Sequence, residues 1–300
     1  MEKIDVSKFQ NRDYQKAIEE LLRKILSDRK VWTALQGVGV DEAIARANLG
    51  TILEFYDNFY ACEKYNSDPG DDDKRGPLQL NLRLEDGVLM REYAHCQADN
   101  AKIKRSRNVI YSDLPSEWSK YRLNGDYTAD ITTKRGPLIL EFLSNLKDPK
   151  HWIFISGDHN KGKSFLASIY FNEVISRNLG TAAFVDTPQA IKEVNDVYFN
   201  NRDEADKMLQ KMADVDYLFL DGFGNEYISD FTRDNFILPL ISERSKEKKI
   251  TVFISNYHLD DIDVVYGLRS KAGQLKARQI KSIIKANITQ EYYLDGIETY

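Results

Sequence analysis

A chain of 300 residues, 42% hydrophobic and 30% charged, has apolar material for one large or two modest cores. Its formal net charge of −5 argues against a protein that coats nucleic acid indiscriminately, although local basic patches stay possible. No apolar run reaches the length of a membrane span, the first residues show no signal-peptide core, and Cys62 and Cys96 make no disulfide framework, so the sequence points to the cytoplasm.

Residues 8–63 carry helical spacing, with Ile18, Leu21, Leu22, Ile25 and Leu26 on one stripe and Ile44, Ala47, Ile52 and Leu53 on another. Such stripes serve either a small core or a partner-binding face. After the acidic loop at 67–76, Leu78, Leu80 and Leu82 alternate with polar residues. Asp86-Gly87 then supplies turn chemistry and Val88-Leu89-Met90 starts a return strand, so a β-hairpin is expected. Periodicity weakens over 97–135, where the basic cluster Lys102–Arg107 is either a solvated linker or a binding patch. The expected organisation is a smaller, mostly helical N-terminal domain over 1–96, a connection over 97–135, and a second, larger domain over 136–300.

The chain is organised around residues 152–180. Trp152-Ile153-Phe154-Ile155 reads as a buried strand, and the loop Gly157-Asp158-His159-Asn160-Lys161-Gly162-Lys163-Ser164 satisfies G-x-x-x-x-G-K-[ST]. A helical pattern follows, with Gly180 expected to end it. In a phosphate-binding loop of this kind the backbone N–H groups and the helix N-terminus face the phosphates of ATP, Lys163 reaches the β/γ oxygens, and Ser164 holds Mg²⁺. Many such loops carry a third glycine where Asn160 stands, and Asn is the best substitute if that position needs positive φ.

Beyond it, apolar strands at 182–185, 217–220, 250–255 and 287–294 alternate with helices at 187–200, 202–213, 229–246 and 274–285. Thr187 is expected to cap the first of these helices, and Pro239 to kink the third. Strands alternating with helices mean an α/β fold with a parallel sheet covered on both faces. Ligands bind beyond the carboxyl ends of such strands. There Asp221 is placed to hold the Mg²⁺ shell, and Asn256 either positions water, senses the γ-phosphate, or is a plain turn residue.

The order of these motifs resembles the AAA+ domain of bacterial replicative helicase loaders of the DnaI/DnaC type, with the transposition helper IstB close behind. The resemblance rests on the P-loop, Leu220-Asp221-Gly222-Phe223-Gly224-Asn225-Glu226, Ser229–Asn235, and Phe253-Ile254-Ser255-Asn256. More loosely, Cys62, Asp86-Gly87 and Tyr93-Ala94-His95-Cys96 resemble the DnaI N-terminal region. It implies ATP-dependent loading of a replicative DNA helicase onto single-stranded DNA, with ATP-bound chains forming a homo-oligomer. Three departures stand out. Gly222 replaces the second acid of the family's L-D-D motif, leaving Glu226 as the candidate base. The arginine-finger position falls on Ser282, with Arg278, Lys281 and Lys285 nearby; Arg278 is the expected substitute. Cys62, Cys96 and His95 fall short of a tetrahedral zinc site, and Tyr65 stands at the expected C-x-x-C partner position. These departures raise a second reading, a nucleotide-gated adaptor with little hydrolysis; an IstB-type helper is a third.

Overall fold

A computed structural model describes residues 12–68, 76–123, 135–267 and 270–295. The chain forms two compact units, Met1–Lys104 and Arg105–Tyr300.

In the first unit, α1 (Arg12–Ser27), α2 (Arg29–Gly37), α3 (Glu42–Ala47) and α4 (Leu49–Ser67) pack with the hairpin β1 (Leu78–Glu85) and β2 (Val88–His95). The apolar stripes meet in one core of Leu22, Ile25, Val31, Leu35, Ile52, Leu80, Leu82 and Leu89. Asp86 and Gly87 take φ of 49° and 80°, the paired positive angles that a two-residue hairpin turn requires. The Asn58 amide bridges α4 to the free edge of β1, donating to the Leu78 carbonyl at 2.7 Å and accepting from the Leu80 N–H at 2.6 Å. Cys62 and Cys96 are buried with their sulfurs 2.6 Å apart, and burial pushes the Cys96 thiol up to about 12. Tyr65 donates to Asp99 instead of facing the cysteines. Among the described residues no group of three or more His, Cys, Asp or Glu side chains is arranged to hold a metal.

The segment expected to be a connection is partly structured. It begins as α5 (Gln97–Asn108) and continues as β3 (Val109–Ser112), which pairs with a strand of the second unit; residues 124–134 lie outside the described residues. Four residues flanked by charge give little periodicity, and β3 is a strand only because a distant neighbour supplies its hydrogen bonds.

The second unit continues with α6 (Gly136–Lys147), β4 (Trp152–Ser156), α7 (Lys163–Ser176), β5 (Ala182–Asp186), α8 (Thr187–Tyr198), α9 (Arg202–Asp214) and β6 (Tyr217–Phe223). The short α10 (Asp230–Thr232), α11 (Leu238–Lys246), β7 (Ile250–Ser255), α12 (Ile262–Gly267), α13 (Lys271–Asn287) and β8 (Ile288–Tyr293) complete it. The six strands lie in the order β3-β5-β6-β7-β4-β8, every pair parallel. Successive strand residues face opposite sides. Trp152, Phe154, Leu218, Leu220 and Phe253 therefore meet α8, α9, α11 and α13, while Ile153, Ile155, Phe219, Val252 and Ile254 meet α6 and α7. On the second face Phe142 and Tyr170 stack at 4.7 Å. Beneath the sheet Arg244 is fully buried, its guanidinium donating to the Met212, Ala213, Val215 and Ile250 carbonyls.

Three local expectations change. Helix α7 ends at Ser176, with Asn178 rather than Gly180 taking the left-handed angle at φ 53°. Asp186, not Thr187, caps α8, accepting the Gln189 N–H at 3.1 Å. Pro239 introduces no lone kink. A π-helical turn at Arg233–Ile237 runs without a break into α11, and its wider bonding, with the Leu238 N–H donating to the Arg233 carbonyl, accommodates the proline that follows.

Candidate nucleotide-binding site

The P-loop joins the end of β4, fifth in the six-strand order, to α7, and the chain then reverses across the sheet to enter β5, with β6 and β7 lying between. That reversal opens a crevice beyond the strand ends. A cleft of about 540 Å³ lies there, lined by His159 to Phe165 of the loop and first helical turn, with Trp118, Asp186, Pro188, Asp221, Gly222, Asn225 and Asn256. Its size suits a nucleotide. The loop has the backbone that its residues predict. Gly157, Asn160 and Gly162 take φ of 141°, 61° and 78°, so Asn160 does occupy a left-handed position. Gly162 precedes α7, whose first N–H groups have no intrahelical acceptors and face an incoming anion.

Four of the expected residues, Lys163, Ser164, Asp221 and Asn256, are brought together at the strand ends. Ser164 Oγ donates to Asp221 Oδ1 at 2.9 Å, joining the start of α7 to β6. Lys163 Nζ donates to Asn256 Oδ1 at 2.9 Å and to the Gly157 and Asp158 carbonyls at 2.7 Å each. The Asn256 amide also meets His159 Nε2 at 3.0 Å. Lys163 is thus buried against its own loop and not aimed at solvent. Burial lowers its pKa, opposed by the charges of Asp221 and Asp158. Burial likewise raises the Asp221 carboxyl, opposed by the Ser164 hydroxyl and the Gly222 N–H, while the charge of Asp186 adds to the rise.

Divalent magnesium takes hard oxygen donors and keeps several ligands for phosphate and water. Ser164 and Asp221 fit that demand: they would hold the ion, which would neutralise phosphate charge. No second protein carboxylate is required.

Glu226 is not brought to this cleft. It is buried, accepts a bond from the Tyr266 hydroxyl and takes the Gly224 N–H at 2.8 Å, and burial raises its carboxyl. A group so enclosed does not meet a water beside a γ-phosphate. Sequence spacing cannot reveal this, because Tyr266 lies forty residues further on. Gly222 adopts φ 71° where β6 bulges against β7, and a Cβ there would stand 3.1 Å from Pro188 Cδ. Arg278 lies on the exposed face of α13 and, among the described residues, makes no ion pair. Lys281 and Lys285 are instead tied to Asp260.

Asp186 lines the cleft, and the sequence reading passed it over. Its signal was present: Ala182 to Asp186 is an apolar run ending in a carboxylate, as is Tyr217 to Asp221.

No family model matches the chain. It is 19% identical over 280 residues, 89% of this chain and 88% of the other, to the replicative helicase loader DnaI of Bacillus subtilis (strain 168). Among solved structures, it is similar to a crystal structure of DnaI, with 21% identity, a TM-score of 0.52, and 63% of this chain and 98% of that chain covered. A candidate primosome component from Streptococcus pyogenes serotype M3 gives 16% identity and a TM-score of 0.51, covering 66% and 98%. The chain thus resembles helicase loaders of the DnaI type, and it shares the α/β fold of those solved structures.

Proposed function

We propose that this chain is an ATP-binding loader that delivers a replicative DNA helicase to single-stranded DNA. The observation that carries the nucleotide part is the Ser164–Asp221 bond beside a P-loop whose three positive-φ positions are all in place. The partner comes from the likeness to DnaI, which runs along nearly the whole chain and so takes in both units. The helical first unit grips the helicase; the second binds ATP with Mg²⁺ and single-stranded DNA, and ATP-bound copies associate.

Within the cleft, the helix N-terminus and loop amides orient the phosphates, and Lys163 exchanges the loop carbonyls for phosphate oxygens as ATP enters. Asn256, which holds that ammonium, is placed to sense the exchange. The second reading, an adaptor that binds ATP and barely hydrolyses it, is favoured by one observation: neither Gly222 nor Glu226 offers a carboxylate to the cleft.

The test mixes purified full-length chain with the replicative helicase of the same cell and fluorescent single-stranded DNA. Loading that requires ATP and is lost with Lys163→Ala is the expected result. Micromolar ATP binding without helicase association would remove the loader role. Helicase loading that is indifferent to nucleotide would remove the ATP switch.

A further inference from the structure

We infer that Asp186, at the end of β5, supplies the water-orienting carboxylate for ATP hydrolysis that Gly222 cannot provide on β6. This rests on the reading of the cleft as an ATP site. Of the described residues lining the cleft, two are carboxylates, Asp186 and Asp221. They are register partners on neighbouring parallel strands, so their Cα atoms stand about 4.8 Å apart and their side chains leave the sheet on the same side. Asp221 is committed, its Oδ1 taking both the Ser164 hydroxyl and the Gly222 N–H. Asp186 is solvent-exposed. One of its oxygens accepts the Gln189 N–H, and the other has no hydrogen-bond donor among the described residues. The backbone holds it in place: its N–H donates to Asp113 Oδ2 at 2.8 Å, and α8 starts from it.

A hydrolytic site needs a residue that orients the attacking water, and a carboxylate can in addition take its proton. The amides of Asn225 and Asn256 cannot take a proton, and Asn256 is already bonded to Lys163 and His159. Asp186 accepts the hydrogen bond of a water in the cleft. The water oxygen bonds to the γ-phosphorus as the bond from that phosphorus to the β–γ bridging oxygen breaks. ADP leaves with the electron pair, and the water proton passes to Asp186 and then to phosphate or solvent. The carboxylate has in effect moved one strand across, from a position where the backbone is left-handed to one where it caps a helix.

The experiment compares wild type, Asp186→Asn and Asp186→Glu as full-length chain with helicase and single-stranded DNA. Asn caps helices as well as Asp does, so the fold and α8 are kept while the proton acceptor is lost. ATP affinity with Mg²⁺ should stay within about two-fold, kcat should fall by about 10²–10⁴-fold, and trapping of ADP with aluminium fluoride should disappear. Asp186→Glu should restore part of both readouts. Turnover by Asp186→Asn within about three-fold of wild type would overturn the assignment. So would a loss of Mg²⁺-dependent nucleotide affinity, which would make Asp186 a cation ligand. Wild type that binds ATP and loads helicase without turnover overturns Asp186 alone; wild type that fails to bind ATP overturns the site reading beneath it.

Discussion

Lys163 and Asn256 are joined by a 2.9 Å hydrogen bond, so one ammonium ties the P-loop to the end of β7. The same ammonium is bonded to the Gly157 and Asp158 carbonyls, and it therefore shapes the loop as well as awaiting phosphate. Lys163→Ala is expected to weaken ATP binding by about 10- to 100-fold and to lower stability by about 1–3 kcal/mol. Calorimetric titration with ATP and thermal unfolding of the same sample check both. A variant that loses binding with an unchanged unfolding curve would show that the loop carbonyls do not need this partner.

Glu226 is a core residue in this fold. In Glu226→Gln the amide oxygen still accepts the Gly224 N–H and the amide NH2 donates to the Tyr266 hydroxyl, which can accept, so turnover should stay within about three-fold of wild type. Glu226→Ala leaves those two buried donors unpaired and should destabilise by about 2–4 kcal/mol. Denaturant unfolding of the alanine variant and steady-state ATPase of the glutamine variant separate the roles. A hundred-fold loss with Gln would return Glu226 to the chemistry.

Arg278 stands on α13 without an ion pair among the described residues, whereas Lys281 and Lys285 are held by Asp260. If ATP-bound copies associate, Arg278 is the cation available to a neighbour. Arg278→Ala should then cut stimulated turnover by about 10³-fold or more, the range of an arginine finger, with nucleotide affinity nearly unchanged. Mixing Arg278→Ala with Lys163→Ala chains tests the arrangement. Recovery of turnover in the mixture is expected, since each copy supplies what the other lacks, and no recovery would count against action across copies.

Acid should act on the first unit through Asp99. The Tyr65 hydroxyl holds its carboxyl below the ordinary range, with the Gly76 N–H helping and burial opposing. A carboxyl whose folded pKa is depressed contributes stability that is complete above its unfolded value, about 3.9, and fades as pH falls through the folded value. Asp99→Asn should therefore unfold more easily than wild type at neutral pH, and the gap should close as pH falls through the depressed folded value. Unfolding curves at several pH values measure this, and a constant gap would mean that the carboxylate's charge is immaterial.

Most of the second unit can be read from its sequence because β4, β6 and β7 are buried on both faces. Continuous runs such as Trp152-Ile153-Phe154-Ile155 have no other home. Asn160 is legible for a different reason: its short amide tolerates the angle that the loop imposes. What escapes depends on distant partners. Val109-Ile110-Tyr111 has the β-branched and aromatic residues of a strand, but four residues are too few to show alternation, and only pairing with β5 makes them one. Glu226 sits close enough to Asp221 in sequence to suggest shared chemistry, and only the placement of Tyr266 removes it to the core. Asp186 is ambiguous in the opposite way. An aspartate before Thr-Pro reads as the lead-in to a helix, and its nearness to Asp221 follows from strand register alone.

Gly222 also limits where this sequence can go. An acid placed there by one substitution must hold a left-handed backbone, at about 1–2 kcal/mol, and must crowd the Pro188 ring at the start of α8. The two-acid form of the motif therefore carries a local cost in this chain, which a shift of the Pro188 ring or of the bulge in β6 would relieve.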